Sequence, residues 1–208
     1  MINSGCNLFQ HYENEITCIY GEASTGKTTF AKLAAIEQAR ENRKVVYIDT
    51  ENSFNSERIK QLSGDGFQRV LGGIILFKPK RFSEQNKIVM SLPEMKNISL
   101  IIVDTISHFY RAKVREKPRV YNMWVWRQLK ILDELSRKTP VIITTQVYNN
   151  IKKDEIEMIG GVLIKKLSKR IIRLEKFPRR LRFENNNGQV NFEIKNNGVF
   201  RLEEDKNK

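Results

Sequence analysis

The chain has 208 residues and a formal net charge of +13, with 37 Lys and Arg residues against 24 Asp and Glu residues. A hydrophobic fraction of 40% favours a folded globule, and no apolar run reaches the roughly 18 residues of a membrane span, so no membrane segment is expected. Cys6 and Cys18 form neither a zinc pattern nor a disulfide framework, which favours a reducing cytoplasm. The basic excess indicates a polyanionic partner, most commonly nucleic acid; the alternative is an enzyme that is merely basic.

Short apolar segments alternate with longer helical patterns along the chain. The predicted strands are residues 16–20, 45–49, 73–77, 98–104, 140–146 and 170–176. The predicted helices are residues 26–40, 54–62, 82–95, 121–137 and 158–167. This alternation predicts an α/β fold with a mostly parallel central sheet flanked by helices.

The last part of the chain has a different pattern, with Asn-Gly turns at residues 187–188 and 197–198 between alternating segments. Such turns predict C-terminal antiparallel strands at one edge of the sheet. No Pro/Gly/Ser-rich linker divides the chain. We therefore expect a single domain over residues 1–208, with a short lead at 1–15, a C-terminal β-hairpin segment at 177–204 and no N-terminal helical domain.

The segment G-E-A-S-T-G-K-T follows the first predicted strand, precedes a helix and matches the phosphate-binding pattern G-x-x-x-x-G-K-[ST]. Its glycines let backbone N–H groups approach phosphates, and the helix N-terminus adds partial positive charge. Lys27 supplies a cation for the β- and γ-phosphates, and Thr28 offers a hydroxyl to Mg²⁺. The alternative is a glycine-rich turn without a ligand. The predicted ATP-binding residues are Gly21, Glu22, Ala23, Ser24, Thr25, Gly26, Lys27, Thr28 and Thr29.

Three further polar residues end predicted strands at the edge where ligands of open α/β sheets bind. Asp104 ends the apolar strand S-L-I-I-V-D and is the predicted carboxylate of the magnesium site, although it could also cap the residues that follow. Glu51 and Gln146 are the predicted catalytic pair, placed to activate or orient a water beside the γ-phosphate. A solvated strand end is the alternative for each. Asp49, inside its strand, is interpreted as structural.

A basic segment, R-A-K-V-R-E-K-P-R at residues 111–119, has no strong apolar periodicity and is flanked by Phe109, Tyr110 and Tyr121. Cations beside aromatic rings favour contact with a nucleic-acid backbone and its bases, whereas a solvated charged face is the alternative. The candidate DNA-binding residues are Arg111, Lys113, Arg115, Lys117 and Arg119. A second basic patch comprises Lys165, Lys166, Lys169, Arg170, Arg173, Lys176, Arg179, Arg180 and Arg182.

The order of these segments resembles the ATPase core of the RecA/RadA recombinases from residue 16 to about residue 176. G-E-A-S-T-G-K-T-T resembles the phosphate loop, Y-I-D-T-E-N-S-F-N-S-E-R the segment with the catalytic glutamate, L-I-I-V-D-T-I-S-H-F-Y-R the magnesium strand, and I-I-T-T-Q-V the strand that ends in the switch glutamine. The length and the segment I-I-L-F-K-P-K-R-F-S-E-Q are most similar to RadB, the short archaeal paralogues of that family.

The resemblance implies a RecA-like P-loop ATPase that binds ATP with Mg²⁺ and assists homologous recombination and DNA repair from the nucleoid of the cytoplasm. It implies weak ATP hydrolysis with little stimulation by DNA, and little or no strand exchange. It also makes Arg58 a platform that stacks on adenine, for which a surface arginine is the alternative. The implied partners are single-stranded, duplex or branched DNA, the main recombinase and Holliday-junction processing enzymes.

The chain also departs from that family's pattern. Only fifteen residues precede the first core strand, so we expect a monomer or dimer without filaments. Thr145 stands where the family usually has Asn before the switch glutamine, and Asp154, Glu155 and Glu157 argue against a second DNA contact after Gln146. Two alternative functions stay open: a KaiC-like regulatory ATPase or kinase that acts on proteins, and a non-hydrolysing nucleotide switch.

Overall fold

The computed structural model describes residues 1–150, 155–186 and 188–202. The helices are α1 (Lys27–Arg40), α2 (Ser56–Ser63), α3 (Phe67–Gly73), α4 (Phe82–Ser91), α5 (His108–Lys113), α6 (Pro118–Ser136) and α7 (Gly161–Leu167). The strands are β1 (Ile2–Asn3), β2 (Gln10–His11), β3 (Ile16–Gly21), β4 (Lys44–Asp49), β5 (Ile74–Phe77), β6 (Ile98–Asp104), β7 (Val141–Thr145), β8 (Val147–Asn150), β9 (Glu155–Met158), β10 (Arg170–Lys176), β11 (Arg179–Phe183), β12 (Gln189–Lys195) and β13 (Gly198–Arg201).

A nine-stranded sheet in the order β13-β12-β11-β10-β3-β7-β6-β4-β5 organises the fold. The six strands from β10 to β5 pair in parallel, and β10 to β13 pair antiparallel. This architecture confirms the predicted fold class, a mostly parallel sheet with C-terminal antiparallel strands. The four central strands β3, β7, β6 and β4 lie side by side, so their carboxyl ends meet at one edge.

Two apolar clusters cover the two faces of the sheet. One contains α1, with Phe30 and Ile36, and also buries Phe192 of β12. The other contains α6, with Leu129 and Leu132. Because helices shield both faces, consecutive residues of β6 and β7 are buried instead of alternating between buried and exposed, as the sequence predicted. None of the helices in the described ranges is long and apolar enough to cross a membrane.

Several element boundaries differ from the sequence predictions for identifiable reasons. The helix predicted from residue 121 begins at Pro118, whose fixed φ suits the first position of a helix. The helix predicted to run to residue 95 ends at Ser91, and a 3-10 turn, Leu92–Glu94, carries Pro93. The strand predicted from residue 73 begins at Ile74 because Gly73 ends the unpredicted helix α3.

The chain after Gln146 differs most from the prediction. The helix predicted from residue 158 begins at Gly161, because residues before it pair as an antiparallel hairpin of β8 and β9. The backbone turns into the helix at Gly160, which has a φ of 72°. The segment 111–119, which has no strong apolar periodicity in the sequence, is helical in α5 and again from Pro118. Asp154, one of the acids expected to repel DNA, lies outside the described residues.

Candidate functional site

The carboxyl edge of the central strands brings together the residues predicted to bind and hydrolyse ATP. The phosphate loop leaves β3, and Asp104 ends β6. Glu51 follows β4, and Gln146 follows β7. The sheet order places these four strands next to one another, which explains why residues distant in sequence share one site.

The phosphate loop depends on two glycines. A Cβ atom on Gly21 would lie 2.4 Å from the backbone oxygen of Leu174 in β10, so only glycine fits at this close approach. Gly26 has a φ of 112°, a left-handed conformation that side chains disfavour, and it is the N-cap of α1. The loop therefore leads directly into the N-terminus of α1, where backbone N–H groups without a partner in the helix can bind an anion.

Lys27 is folded back onto the loop that precedes it. Its Nζ donates to the backbone oxygens of Gly21 at 2.9 Å and of Glu22 at 2.6 Å. Burial lowers the pKa of Lys27 from its ordinary value, and the carboxylates of Glu51, Asp104 and Glu22 oppose that decrease. The ammonium group is thus held in a poorly hydrated place among carboxylates, where a phosphate would be a strong partner.

Asp104 is buried and fixed by two hydroxyl groups. Its Oδ2 accepts from the Tyr47 hydroxyl at 2.7 Å, and its Oδ1 accepts from Thr144 Oγ1 at 2.6 Å. Burial and the adjacent Asp104 raise the pKa of Tyr47 well above its ordinary value, so Tyr47 stays a neutral donor. Each carboxylate oxygen keeps a second lone pair, which could accept a hydrogen bond from a water molecule bound to a magnesium ion.

Glu51 and Gln146, the predicted catalytic pair, are in direct contact. Gln146 Nε2 donates to Glu51 Oε1 at 2.5 Å, and the Gln146 Oε1 atom accepts from Arg111 at 2.9 Å. His108 Nδ1 lies 3.8 Å from the same Glu51 oxygen. A carboxylate, an amide, an imidazole and a guanidinium therefore form one cluster beside the phosphate loop. Asp49, interpreted as structural, instead accepts from the backbone N–H groups of Ser53 and Phe54.

This combination of fold and site matches known proteins. The model of the Rad51 family matches residues 11–198. This chain belongs to the Rad51 family. Within that family it is similar to the DNA repair and recombination protein RadB of Methanococcoides burtonii, with 35% identity over 77% of this chain and 74% of that protein. RadB of Methanococcus maripaludis strain C7 is 38% identical over 77% of this chain and 76% of its own length.

A solved structure extends the likeness to almost the whole chain. The crystal structure of the RadB recombinase superposes with a TM-score of 0.82 at 28% identity, covering 98% of this chain and all of that one. The likeness to RadB expected from the sequence is therefore confirmed, and the chain is a RadB-like member of the Rad51 family.

In this Rad51-family chain, Arg58 lies on α2 and holds the turn between β12 and β13. Its guanidinium donates to the backbone oxygens of Lys195 at 3.0 Å and Asn196 at 2.9 Å, and to Gln61 Oε1 at 3.0 Å. All three bonds use in-plane N–H groups, which leaves the flat faces of the guanidinium available for stacking. These contacts are therefore compatible with the predicted stacking of Arg58 on adenine, and they would hold the plane of the guanidinium in one orientation.

We predict that Arg58→Ala weakens ATP binding by about 2- to 30-fold, the range expected for loss of a cation–π contact. Arg58→Lys should weaken ATP less, since it keeps the charge but not the plane. Binding of inorganic triphosphate, which has no base, should not change, and Arg69→Ala on the exposed surface of α3 is the control. Calorimetric titration of both ligands is the measurement. Equal losses for ATP and triphosphate would exclude a contact with the base.

The basic segment 111–119 lies beside the contact between Glu51 and Gln146. Some of its cations bind other side chains of the protein, and others do not. Arg111 contacts Gln146, and Lys113 forms an ion pair with Glu116 at 2.9 Å. Arg115, Lys117 and Arg119 are exposed, without an ion-pair partner among the described residues. The structure thus brings one of the five predicted DNA-binding residues next to the predicted catalytic pair, Glu51 and Gln146, and leaves three accessible to a polyanion.

The second basic patch consists largely of paired cations. Arg170 binds Glu15 at 3.1 Å, and Lys165 binds Glu184 at 3.2 Å. Three more arginines surround one carboxylate, that of Glu175: Arg173, Arg180 and Arg182. Glu15, Glu175 and Glu184 therefore offset part of the charge of this patch, and it offers fewer unpaired cations to DNA than its sequence suggested.

Three functional contacts were not predicted from the sequence. Arg179 donates to the backbone oxygens of Ser24 and Thr25 at 3.2 and 3.3 Å and so braces the phosphate loop from β11. His108 had no assigned role, although its place four residues after Asp104 could have suggested one. The hydrogen bond from Tyr47 to Asp104 could have been predicted from strand alternation. Tyr47 and Asp49 share one face of β4, and Asp49 is the residue opposite Asp104 on the neighbouring strand β6.

Proposed function

We propose that this chain binds ATP with Mg²⁺, hydrolyses it slowly, and binds DNA as an accessory protein of homologous recombination and repair. The observation that carries the proposal is the convergence of Lys27, Asp104, Glu51 and Gln146 at one sheet edge, with a basic segment in contact with that group through Arg111. The RadB relatives are named as DNA repair and recombination proteins, which supports the same role.

Each residue of the site has a distinct part in this proposal. Lys27 and the loop N–H groups bind the phosphates, and Thr28 and Asp104 would hold a magnesium ion, which would neutralise charge on the phosphates. Glu51 accepts a proton from the attacking water, and Gln146 orients that water. No cluster of three acidic, His or Cys side chains that could hold a metal by itself occurs in the described part of the chain.

The same proposal places the protein in the cytoplasm at the nucleoid, in contact with DNA, the main recombinase and Holliday-junction processing enzymes. It leaves strand exchange to the main recombinase. The net charge of +13 supports a polyanionic partner, and segment 111–119 carries exposed arginines, of which Arg111 contacts Gln146.

A salt titration tests the DNA part of the proposal. If Arg111, Arg115 and Arg119 contact phosphates, replacing all three by alanine should weaken binding to every DNA sequence alike. The log–log slope of affinity against salt should become shallower by up to about 0.9 per lost contact on duplex, and about 0.7 on single strands. The triple variant should still bind ATP, because the phosphate loop is intact.

The measurement is fluorescence anisotropy with single-stranded, duplex and branched DNA at several salt concentrations. Replacing Arg173, Arg180 and Arg182 by alanine is a matched control, since these arginines carry the same charge but surround Glu175. It should change the slope less. A triple variant of segment 111–119 that keeps both affinity and slope would favour a regulator that acts on proteins instead of DNA.

A further inference from the structure

Arg179, the first residue of β11, binds two carbonyl groups of the phosphate loop. Its Nη1 atom donates to the backbone oxygens of Ser24 at 3.2 Å and of Thr25 at 3.3 Å. A guanidinium is always charged and can only donate, so both hydrogen bonds are charge-assisted. The arginine reaches the loop because β11 pairs with β10 and β10 pairs with β3, the strand that the loop follows.

The carbonyl groups that Arg179 binds determine where two N–H groups of the loop point. The peptide bonds after Ser24 and Thr25 are trans, so each C=O group points away from the N–H group of the next residue. Arg179 holds these two oxygens toward β11, which turns the N–H groups of Thr25 and Gly26 to the opposite side of the loop. In a phosphate loop, the backbone N–H groups cradle the α- and β-phosphates.

The backbone of Ser24 adds a reason for such a contact. Its φ of 64° lies in the left-handed region, which is disfavoured for a residue that has a side chain. A disfavoured conformation persists only where its surroundings hold it, and the bond from Arg179 to the Ser24 oxygen is one such support. Without Arg179 the loop would adopt its binding conformation for a smaller fraction of the time, and its affinity for phosphates would fall by that fraction.

A second cation, Lys27, binds the carbonyl groups at the start of the loop, those of Gly21 and Glu22. The two cations differ in what a nucleotide would do to them. The lysine of a phosphate loop reaches the β- and γ-phosphates, so Lys27 would leave these oxygens when ATP binds. Arg179 is bound to the carbonyl side of the loop and can keep its contacts while the N–H side binds a ligand.

We propose that Arg179 is a positioning residue of the phosphate loop: it holds the turn at Ser24 and Thr25 so that the N–H groups of Thr25 and Gly26 face the phosphates before a nucleotide arrives. The proposal rests on the ATP binding proposed above and assigns to it a residue that lies far from the loop in sequence. ATP, ADP and inorganic triphosphate all offer phosphates to these N–H groups, so Arg179 should contribute equally to the affinity of all three.

The test compares the wild type with Arg179→Met, which keeps the aliphatic part of the side chain but has neither charge nor donor. Calorimetric titration with ATP, ADP and inorganic triphosphate should show about tenfold weaker binding for each, the lower end of the range for loss of a charge-assisted hydrogen bond. Arg179→Lys keeps a charged donor and should lose less. Arg58→Ala is expected to weaken ATP but not triphosphate, so the two arginines are distinguishable.

Arg180→Met is the matched control, because Arg180 is the next residue of β11 and contacts Asn191 and Glu175 instead of the loop. Titrations at about 0.1 M and about 1 M salt separate position from charge, since the Debye length shortens from about 10 Å to about 3 Å. The loss caused by Arg179→Met should persist at high salt. A loss that disappears there, or that equals the loss in Arg180→Met, would overturn the proposal, because Arg179 would then act only through its charge.

Circular dichroism on heating sets the conditions, and each variant is titrated well below its unfolding midpoint. If Arg179→Met does not fold, Arg179→Gln takes its place, since it stays polar but is too short to reach both oxygens. A folded variant that binds all three ligands as tightly as the wild type refutes the role of Arg179 alone. A wild-type protein that binds none of the three refutes the proposed function and this role together.

Discussion

Lys27→Ala is expected to remove tight ATP binding while leaving the fold intact. The Lys27 ammonium lies among the carboxylates of Glu51, Asp104 and Glu22, whose negative field it offsets. Without it, a triphosphate would enter a site of like charge and would lose its charge-assisted hydrogen bonds, each worth about 1.5–3 kcal/mol. We expect an affinity loss of at least about 100-fold.

The fold should tolerate this change because burial lowers the pKa of Lys27, which means that the folded state gains little from its charge. The midpoint of thermal unfolding should therefore shift by no more than about 4 °C, as expected for a change near 1 kcal/mol in a chain of this size. Lys87→Ala, at an exposed lysine of α4, is the control for loss of one charge.

Binding of a fluorescent ATP analogue, together with circular dichroism on heating, is the measurement. A Lys27→Ala protein that binds ATP as tightly as the wild type would show that the loop between β3 and α1 is not a phosphate site. Loss of the folded spectrum would instead indicate that Lys27 holds the loop through Gly21 and Glu22.

The sequence predicted the parts of the site that depend on strand ends. Asp104 ends β6 and Gln146 follows β7, and the carboxyl ends of buried parallel strands lie at the ligand-binding edge of a sheet. Local pattern alone was sufficient there, because strand polarity fixes which end of each strand carries the site. The phosphate loop was equally predictable, since its glycines and lysine are contiguous in sequence.

Contacts between distant segments could not be predicted in the same way. The Arg111–Gln146 bond joins residues 35 positions apart, and the Arg179 contacts with the phosphate loop span more than 150 positions. Arg111 was predicted to bind DNA and Arg179 was assigned to the second basic patch, because a basic run has no periodicity that reveals a partner within the chain. The β8–β9 hairpin was missed because each strand has only four residues: V-Y-N-N does not alternate, and the alternation E-I-E-M is at the lower length limit of a strand signal.

Glu51→Gln is expected to reduce ATP hydrolysis by about 10²- to 10⁴-fold, the contribution typical of a general base. Glutamine has nearly the same shape as glutamate, and its amide oxygen can accept the hydrogen bond from Gln146 Nε2 that Glu51 accepts at 2.5 Å. Its neutral amide cannot accept a proton from water. ATP affinity should be unchanged or higher, because one negative charge leaves the surroundings of Lys27.

Single-turnover hydrolysis with enzyme in excess over labelled ATP is the appropriate measurement, since we expect the wild-type rate to be slow. Glu57→Gln makes the same chemical change on the exposed first turn of α2, six residues further along the chain, and should hydrolyse ATP at the wild-type rate. If Glu51→Gln matches the wild type above background, Glu51 is not the base, and His108, 3.8 Å from its carboxylate, becomes the residue to replace. If the wild type itself does not exceed background while still binding ATP, the chain acts as a non-hydrolysing nucleotide switch.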